Sequence, residues 1–235
     1  MKKPQLFLLH FAGGNCYSFQ FMKPLLHDFE VIALELPGRG RRMDEPLLND
    51  FDAAAKDLYR QIIGDITDAP FLIYGHSMGA SLALRVTNLL EDAGKRPVAV
   101  IVSGNAGPGL ERSRMRYLLD RPEFIKELEL LGGLPPEIIE NEELFGFFEP
   151  VLRADFEIAE RNNLVSEPPI QSPLYAVMGS MEENVERIDN WMAYTRGRFA
   201  SEVLEGDHFF IQRHPHRIAG IISSFYHRMY AMPQS

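Results

Sequence analysis

One stretch constrains this chain more than any other: Phe71-Leu72-Ile73-Tyr74, then Gly75-His76-Ser77-Met78-Gly79, then Ala80-Ser81-Leu82-Ala83-Leu84-Arg85. The first four residues are uniformly apolar, as in a strand covered on both faces. The last six open a helical pattern. Five residues must therefore turn a strand into a helix. Glycine at both ends of the pentapeptide is what so tight a bend demands, because side chains there would collide. The serine hydroxyl is left exposed at a helix N-terminus, where the dipole favours developing negative charge. Ser77 is thus a candidate nucleophile. The plainer reading, a glycine-rich connection with an incidental serine, does not account for the strand before it and the helix after it.

The same rhythm runs along the chain. Apolar runs at 5–11, 30–36, 71–74, 98–103, 174–178 and 200–204 predict strands, and periodic stretches at 51–64, 78–93, 184–195 and 215–230 predict helices. Asp50 stands where an N-cap would, and Gly94 where a helix would stop. Strand–helix alternation predicts an α/β fold, a mostly parallel sheet flanked by helices, as one domain over 1–235. From about 108 to 169 no strand pattern occurs. Amphipathic stretches at 121–131 and 142–159 are separated by Gly132-Gly133 and Pro135-Pro136. The segment is rich in Leu, Ile and Phe, so it is expected to be a helical lid inserted into the domain rather than extra packing helices.

A serine nucleophile needs a base, an acid and an oxyanion hole. In the α/β-hydrolase order, serine is followed by the acid and then by histidine. His208 follows a predicted strand in Glu205-Gly206-Asp207-His208-Phe209-Phe210 and is the expected base. His214 and His216 flank Pro215 at a helix start, and His227 lies within that helix. The acid should follow strand 174–178, in Gly179-Ser180-Met181-Glu182-Glu183-Asn184, and Glu182 is the choice. Its competing reading is a solvated pair with Glu183 at a helix start. Asp155 and Asp207 are rivals, though Asp207 adjoins the histidine and should point away. One oxyanion donor should be the N–H of Met78. The second should come from His10-Phe11-Ala12-Gly13-Gly14-Asn15, with Ala12 the choice and Phe11 the near alternative.

Composition narrows the classes. A net charge of −9 over 235 residues argues against nucleic-acid binding, which needs a basic surface. The single cysteine, Cys16, allows no internal disulfide, as in a reducing compartment. No apolar stretch approaches the roughly 20 residues of a membrane helix, and the N-terminus lacks a signal-peptide pattern. No Cys/His cluster stands at metal-ligand spacing. The expectation is a cytoplasmic protein without membrane, metal or cofactor, and nothing demands more than a monomer.

Several stretches together resemble the type II thioesterases associated with nonribosomal peptide and polyketide synthases. They are Phe11-Ala12-Gly13-Gly14, Glu35-Leu36-Pro37-Gly38-Arg39-Gly40-Arg41-Arg42 with Glu45-Pro46 after it, Gly75-His76-Ser77-Met78-Gly79, Leu131-Gly132-Gly133-Leu134-Pro135, Leu152-Arg153-Ala154-Asp155 and Gly206-Asp207-His208-Phe209. The resemblance runs nearly end to end. It implies hydrolysis of acyl groups from the phosphopantetheine arm of acyl or peptidyl carrier domains, editing misacylated synthases. It implies no cofactor beyond the pantetheine that the substrate carries. Its pattern usually has Asp where Glu182 stands, which leaves Glu182, Glu183 and Asp155 in contention as the acid. Carrier domains are acidic near the pantetheine, which makes Arg39, Arg41, Arg42, Arg112, Arg114 and Arg116 candidate docking groups; scattered solubilising charge is the other reading. Rival functions are a carboxylesterase, a medium-chain fatty acyl thioesterase, and a non-catalytic interaction protein with a degenerate triad.

Overall fold

The computed structural model describes residues 2–109 and 115–231. Six strands form one parallel sheet: β1 Gln5–Leu9, β2 Glu30–Ala33, β3 Phe71–His76, β4 Ala99–Ser103, β5 Leu174–Gly179 and β6 Phe199–Leu204. The order is β2-β1-β3-β4-β5-β6, with every pair parallel. Seven helices are seen among the described residues: α1 Phe51–Asp65, α2 Met78–Asp92, α3 Arg121–Leu131, α4 Pro136–Ile139, α5 Glu142–Glu160, α6 Phe210–Arg213 and α7 Pro215–Tyr230. This sheet, with a strand–serine–helix turn after β3, is of the α/β-hydrolase type.

The apolar runs work as two-faced strands. Phe7 and Leu9 of β1 face a core shared with Leu58 and Ile62 of α1 and Leu82 and Val86 of α2. Leu6 and Leu8 face the other core, with Ile218, Ile222 and Phe225 of α7. Side chains alternate faces along a strand, so an unbroken apolar run is required when both faces are covered. Asp50 caps α1, accepting from the Ala53 N–H at 2.7 Å.

The sheet order positions the site. The chain leaves β1 for the β2 edge, then returns past β1 to β3. At that reversal the loops after β1 and β3 run apart, leaving a crevice at the strands' C-terminal ends. Leu9 pairs in register with Gly75, so the 10–15 loop and the Ser77 turn emerge side by side.

Two expectations differ from the structure. β1 and β2 end at Leu9 and Ala33, short of 11 and 36; beyond β1 the chain turns at residues 11–14. The stretch 184–195, expected as an ordinary helix, is a 3-10 run, Val185–Tyr194. Three residues per turn align Ile188 and Trp191, its two buried side chains, and the Trp191 indole N–H donates to the Asn105 carbonyl at 2.7 Å.

Between β4 and β5 no strand occurs among the described residues. Here α3 and α5 build a small core of their own from Phe124, Leu128, Phe145, Leu152 and Phe156. No helix among the described residues is long and apolar enough to cross a membrane.

Candidate active site

Ser77 sits in the turn between β3 and α2 with φ 57° and ψ −114°, a conformation that costs on the order of 1–3 kcal/mol for a residue bearing a Cβ. The surroundings enforce it. The Ser77 N–H donates to the Ser103 carbonyl at 2.8 Å. A Cβ at Gly75 would collide with the Gly79 carbonyl oxygen, and one at Gly79 with the Leu9 carbonyl oxygen. Asn105 supports the turn from outside, its Nδ2 donating to the Ser77 carbonyl at 3.3 Å and to Ser81 Oγ at 3.1 Å.

The structure brings Ser77, His208 and Glu182 together. His208 Nε2 lies 2.8 Å from Ser77 Oγ, and His208 Nδ1 lies 2.6 Å from Glu182 Oε2. The second oxygen, Glu182 Oε1, accepts the Gly179 N–H at 2.7 Å. With Glu182 ionised, Nδ1 carries the proton and donates it to the carboxylate, leaving Nε2 to accept the serine proton. The side chains are 18% exposed for His208 and 7% for Glu182, which limits screening of the pair. The rival carboxylates are elsewhere. Asp207 accepts from the Phe209 N–H and from Arg213. Glu183 is exposed at the cleft rim. Asp155 is fully buried and bound to Arg39.

The oxyanion candidates also meet at the cleft. Residues 11–14 form a turn closed by the Gly14 N–H on the Phe11 carbonyl at 2.9 Å, with Gly13 at φ +76°. Ala12, Phe11 and Met78 all line the cavity with Ser77. Among the described residues neither the Ala12 nor the Met78 N–H has a hydrogen-bond partner. The cavity holds about 670 Å³, and Leu128, Leu152 and Phe156 bring the α3–α5 core to its wall.

A second imidazole lies beside the first. The His76 ring is fully buried, 5.2 Å from that of His208, with Nδ1 2.8 Å from Ser103 Oγ. Burial, reinforced by the His208 charge, pushes its pKa well below the usual histidine range. His76 is therefore neutral and adds no positive charge against His208. Sequence reasoning passed over His76, Ser103 and Asn105; the signal for His76 was a titratable ring inside an otherwise apolar strand.

Three of the six candidate docking arginines are held by partners within the chain. Arg39, 5% exposed, forms a two-pronged pair with Asp155, with Nη2 to Oδ1 at 2.8 Å and Nη1 on Oδ2. Arg42 pairs with Glu45 and Asp57, and Arg116 with Glu127 and Glu160. Each charge is met within the chain, so these three are tied to internal partners. Arg41 remains exposed, and Arg112 and Arg114 lie outside the described residues. Among the described residues no group of three or more His, Cys, Asp and Glu could hold a metal ion.

Residues 4–226 match the thioesterase domain family. A Brevibacillus parabrevis protein named linear gramicidin dehydrogenase LgrE is 32% identical over 93% of this chain and 86% of that protein. The Gly-x-Gly-x-x-Gly dinucleotide fingerprint occurs nowhere in the present sequence. Among solved structures, YbtT, a type II thioesterase from the yersiniabactin NRPS/PKS biosynthetic pathway, is similar with a TM-score of 0.88 and 30% identity, over 98% of this chain and 95% of that one. The RedJ thioesterase from the prodiginine biosynthetic pathway in Streptomyces coelicolor is similar with a TM-score of 0.87 and 29% identity, over 95% and 90%.

Proposed function

This chain belongs to the thioesterase domain family, and from that premise we propose that it removes acyl groups from the phosphopantetheine arm of carrier proteins serving a nonribosomal peptide or polyketide synthase. The hydrogen-bonded line Ser77–His208–Glu182 is the observation that carries the reading. The relatives' pathways supply the substrate class.

The chemistry is a two-step acyl transfer. His208 Nε2 takes the Ser77 proton as Oγ attacks the thioester carbonyl. The Glu182 carboxylate stabilises the imidazolium that forms. The N–H groups of Met78 and Ala12 hold the oxyanion in a site already arranged for it. Collapse expels the pantetheine sulfur, which receives the proton from His208. Water then enters, gives its proton to His208 and attacks the acyl-serine; Ser77 Oγ leaves with that proton. Helices α3–α5 serve as a lid, laying Leu152 and Phe156 along the acyl chain. At the rim Leu130 and Met181, 79% and 74% exposed, flank the way in for the pantetheine.

The test is hydrolysis of an acylated carrier protein beside its matched oxyester. The wild-type protein should release the acyl group from the thioester, and Ser77→Ala should not. Undiminished thioester turnover by Ser77→Ala overturns the mechanism.

A further inference from the structure

We propose that Arg39 and Asp155 are positioning residues that hold the 11–14 turn, and through it the Ala12 N–H, in its oxyanion-binding orientation. The inference rests on the serine thioesterase reading above and deepens it.

The Phe11–Ala12 peptide is pinned at its carbonyl end. The Phe11 oxygen lies 2.8 Å from His10 Nδ1 and accepts the Gly14 N–H at 2.9 Å. The Leu36 N–H points at His10 Nε2 at 3.4 Å, so the ring proton is on Nδ1 and His10 donates to Phe11. Burial, reinforced by Arg39, keeps His10 neutral by lowering its pKa. A peptide is planar and trans. Fixing the Phe11 oxygen therefore aims the Ala12 N–H the opposite way, and among the described residues that amide has no partner.

The next peptide needs its own constraint. A turn with positive φ at its third residue is of type II, and rotating its central peptide gives type I. The central peptide here joins Ala12 to Gly13. The Gly13 N–H donates to Asp155 Oδ2 at 2.7 Å, which fixes that peptide. Arg39 holds the carboxylate by both terminal nitrogens, and its Nη1 also reaches the Gly14 carbonyl at 3.4 Å. Side-chain exposure is 5% for Arg39 and 0% for Asp155. A buried, doubly held carboxylate aimed at one backbone amide of the turn is a device for orienting that turn.

The experiment uses Asp155→Asn and the double variant Arg39→Met/Asp155→Leu, which removes both charges and leaves none buried alone. Three quantities are read: kcat and KM for an acyl-pantetheine thioester, affinity for a pantetheine trifluoromethyl ketone that forms a tetrahedral oxyanion on Ser77, and affinity for a pantetheine thioether that forms none. The expected result is a kcat and ketone affinity lower by about ten- to a hundredfold, part of what deleting a whole oxyanion donor costs. KM and thioether affinity should stay within about twofold. Equal losses in ketone and thioether affinity, or no loss in either, overturn the proposal. In the wild-type enzyme the Gly13 amide proton should exchange slowly with solvent; exchange as fast as in an open loop also overturns it. A wild-type enzyme without thioesterase activity would instead overturn the proposed function, which separates the two failures.

Discussion

Shortening Glu182 by one methylene tests how the site uses a glutamate where the resembled family usually has aspartate. Glu182 follows β5 in a bend, its N–H donating to the Gly179 carbonyl at 3.2 Å. From there its carboxylate spans two partners, the Gly179 N–H at 2.7 Å and His208 Nδ1 at 2.6 Å. Glu182→Asp withdraws the carboxylate by about one C–C bond, about 1.5 Å. If the Gly179 contact is kept, the distance to Nδ1 grows from 2.6 Å to about 4.1 Å. At an effective dielectric of about 20, opposite unit charges attract by about 6 kcal/mol at the first distance and about 4 kcal/mol at the second. The imidazolium formed in the transition state loses about 2 kcal/mol, roughly thirtyfold in kcat. Glu182→Gln removes the charge and releases the Nδ1–H tautomer, for which the triad precedent is about 10⁴-fold. Thiol release from acyl-pantetheine, followed with a chromogenic thiol reagent, measures both. KM should change little, because neither variant touches the acyl chain. Glu182→Asp at the wild-type rate would refute the reach argument. A nearly active Glu182→Gln beside an inactive Glu183→Gln would refute the choice of acid.

Two further outcomes follow from buried groups around the site. His10 and His76 both have pKa values lowered by burial, so the unfolded chain takes up protons below about pH 6.5 that the folded chain refuses. Stability should therefore fall as pH drops from 7 to 5, by up to about 1.4 kcal/mol per pH unit for each histidine; chemical denaturation at several pH values reads this, His76→Gln should flatten the slope, and a midpoint unchanged over that range would contradict it. Gly13→Ala puts a Cβ into Leu152 at φ +76°, so the melting temperature should fall by several degrees for about 1–3 kcal/mol of strain and kcat should fall at least about tenfold through the displaced turn; a variant as active and stable as the wild type would show that the turn tolerates a side chain.

Local pattern made much of the fold legible. The four inner strands β1, β3, β4 and β5 lie within or beside apolar runs, because burial on both faces forces that composition, while the edge strands β2 and β6 are only partly buried. The elbow was legible because strand, pentapeptide and helix are contiguous. His208 was legible because its loop follows a strand end. The Arg39–Asp155 pair was not, since nothing in Pro37-Gly38-Arg39-Gly40-Arg41-Arg42 distinguishes the one inward guanidinium from its neighbours, and its partner is 116 positions away. A weaker signal existed at the other end. Leu152, Asp155 and Phe156 are spaced to share one helix face, and a carboxylate on an apolar stripe needs a buried partner. The 3-10 run escaped for a different reason: residues 184–195 carry helical composition, and composition does not distinguish 3-10 from α winding where the contact of Trp191 with Asn105 is long-range.

The energetics of ion pairs separate Arg39–Asp155 from Arg161–Glu157 on the same helix. Arg161–Glu157 has an arginine 63% exposed, and exposed pairs contribute roughly 0–1 kcal/mol. Removing one partner of a buried pair costs about 3–5 kcal/mol, yet replacing both by apolar side chains of similar size is often neutral or stabilising. Stability alone therefore gives no reason for a charged pair at this place in the core. An apolar pair would fill the volume but could not accept the Gly13 N–H, and the 11–14 turn would lose the contact that fixes its central peptide. The helix that carries Asp155 also carries Leu152 and Phe156 at the cleft wall. Moving α5 away from the sheet would therefore open the wall and take the carboxylate from Gly13 in one step. On the proposed function, enclosure of the acyl chain and readiness of the oxyanion site are joined through one helix, so an enzyme with α5 moved away from the sheet should be slow at chemistry as well as loose in binding.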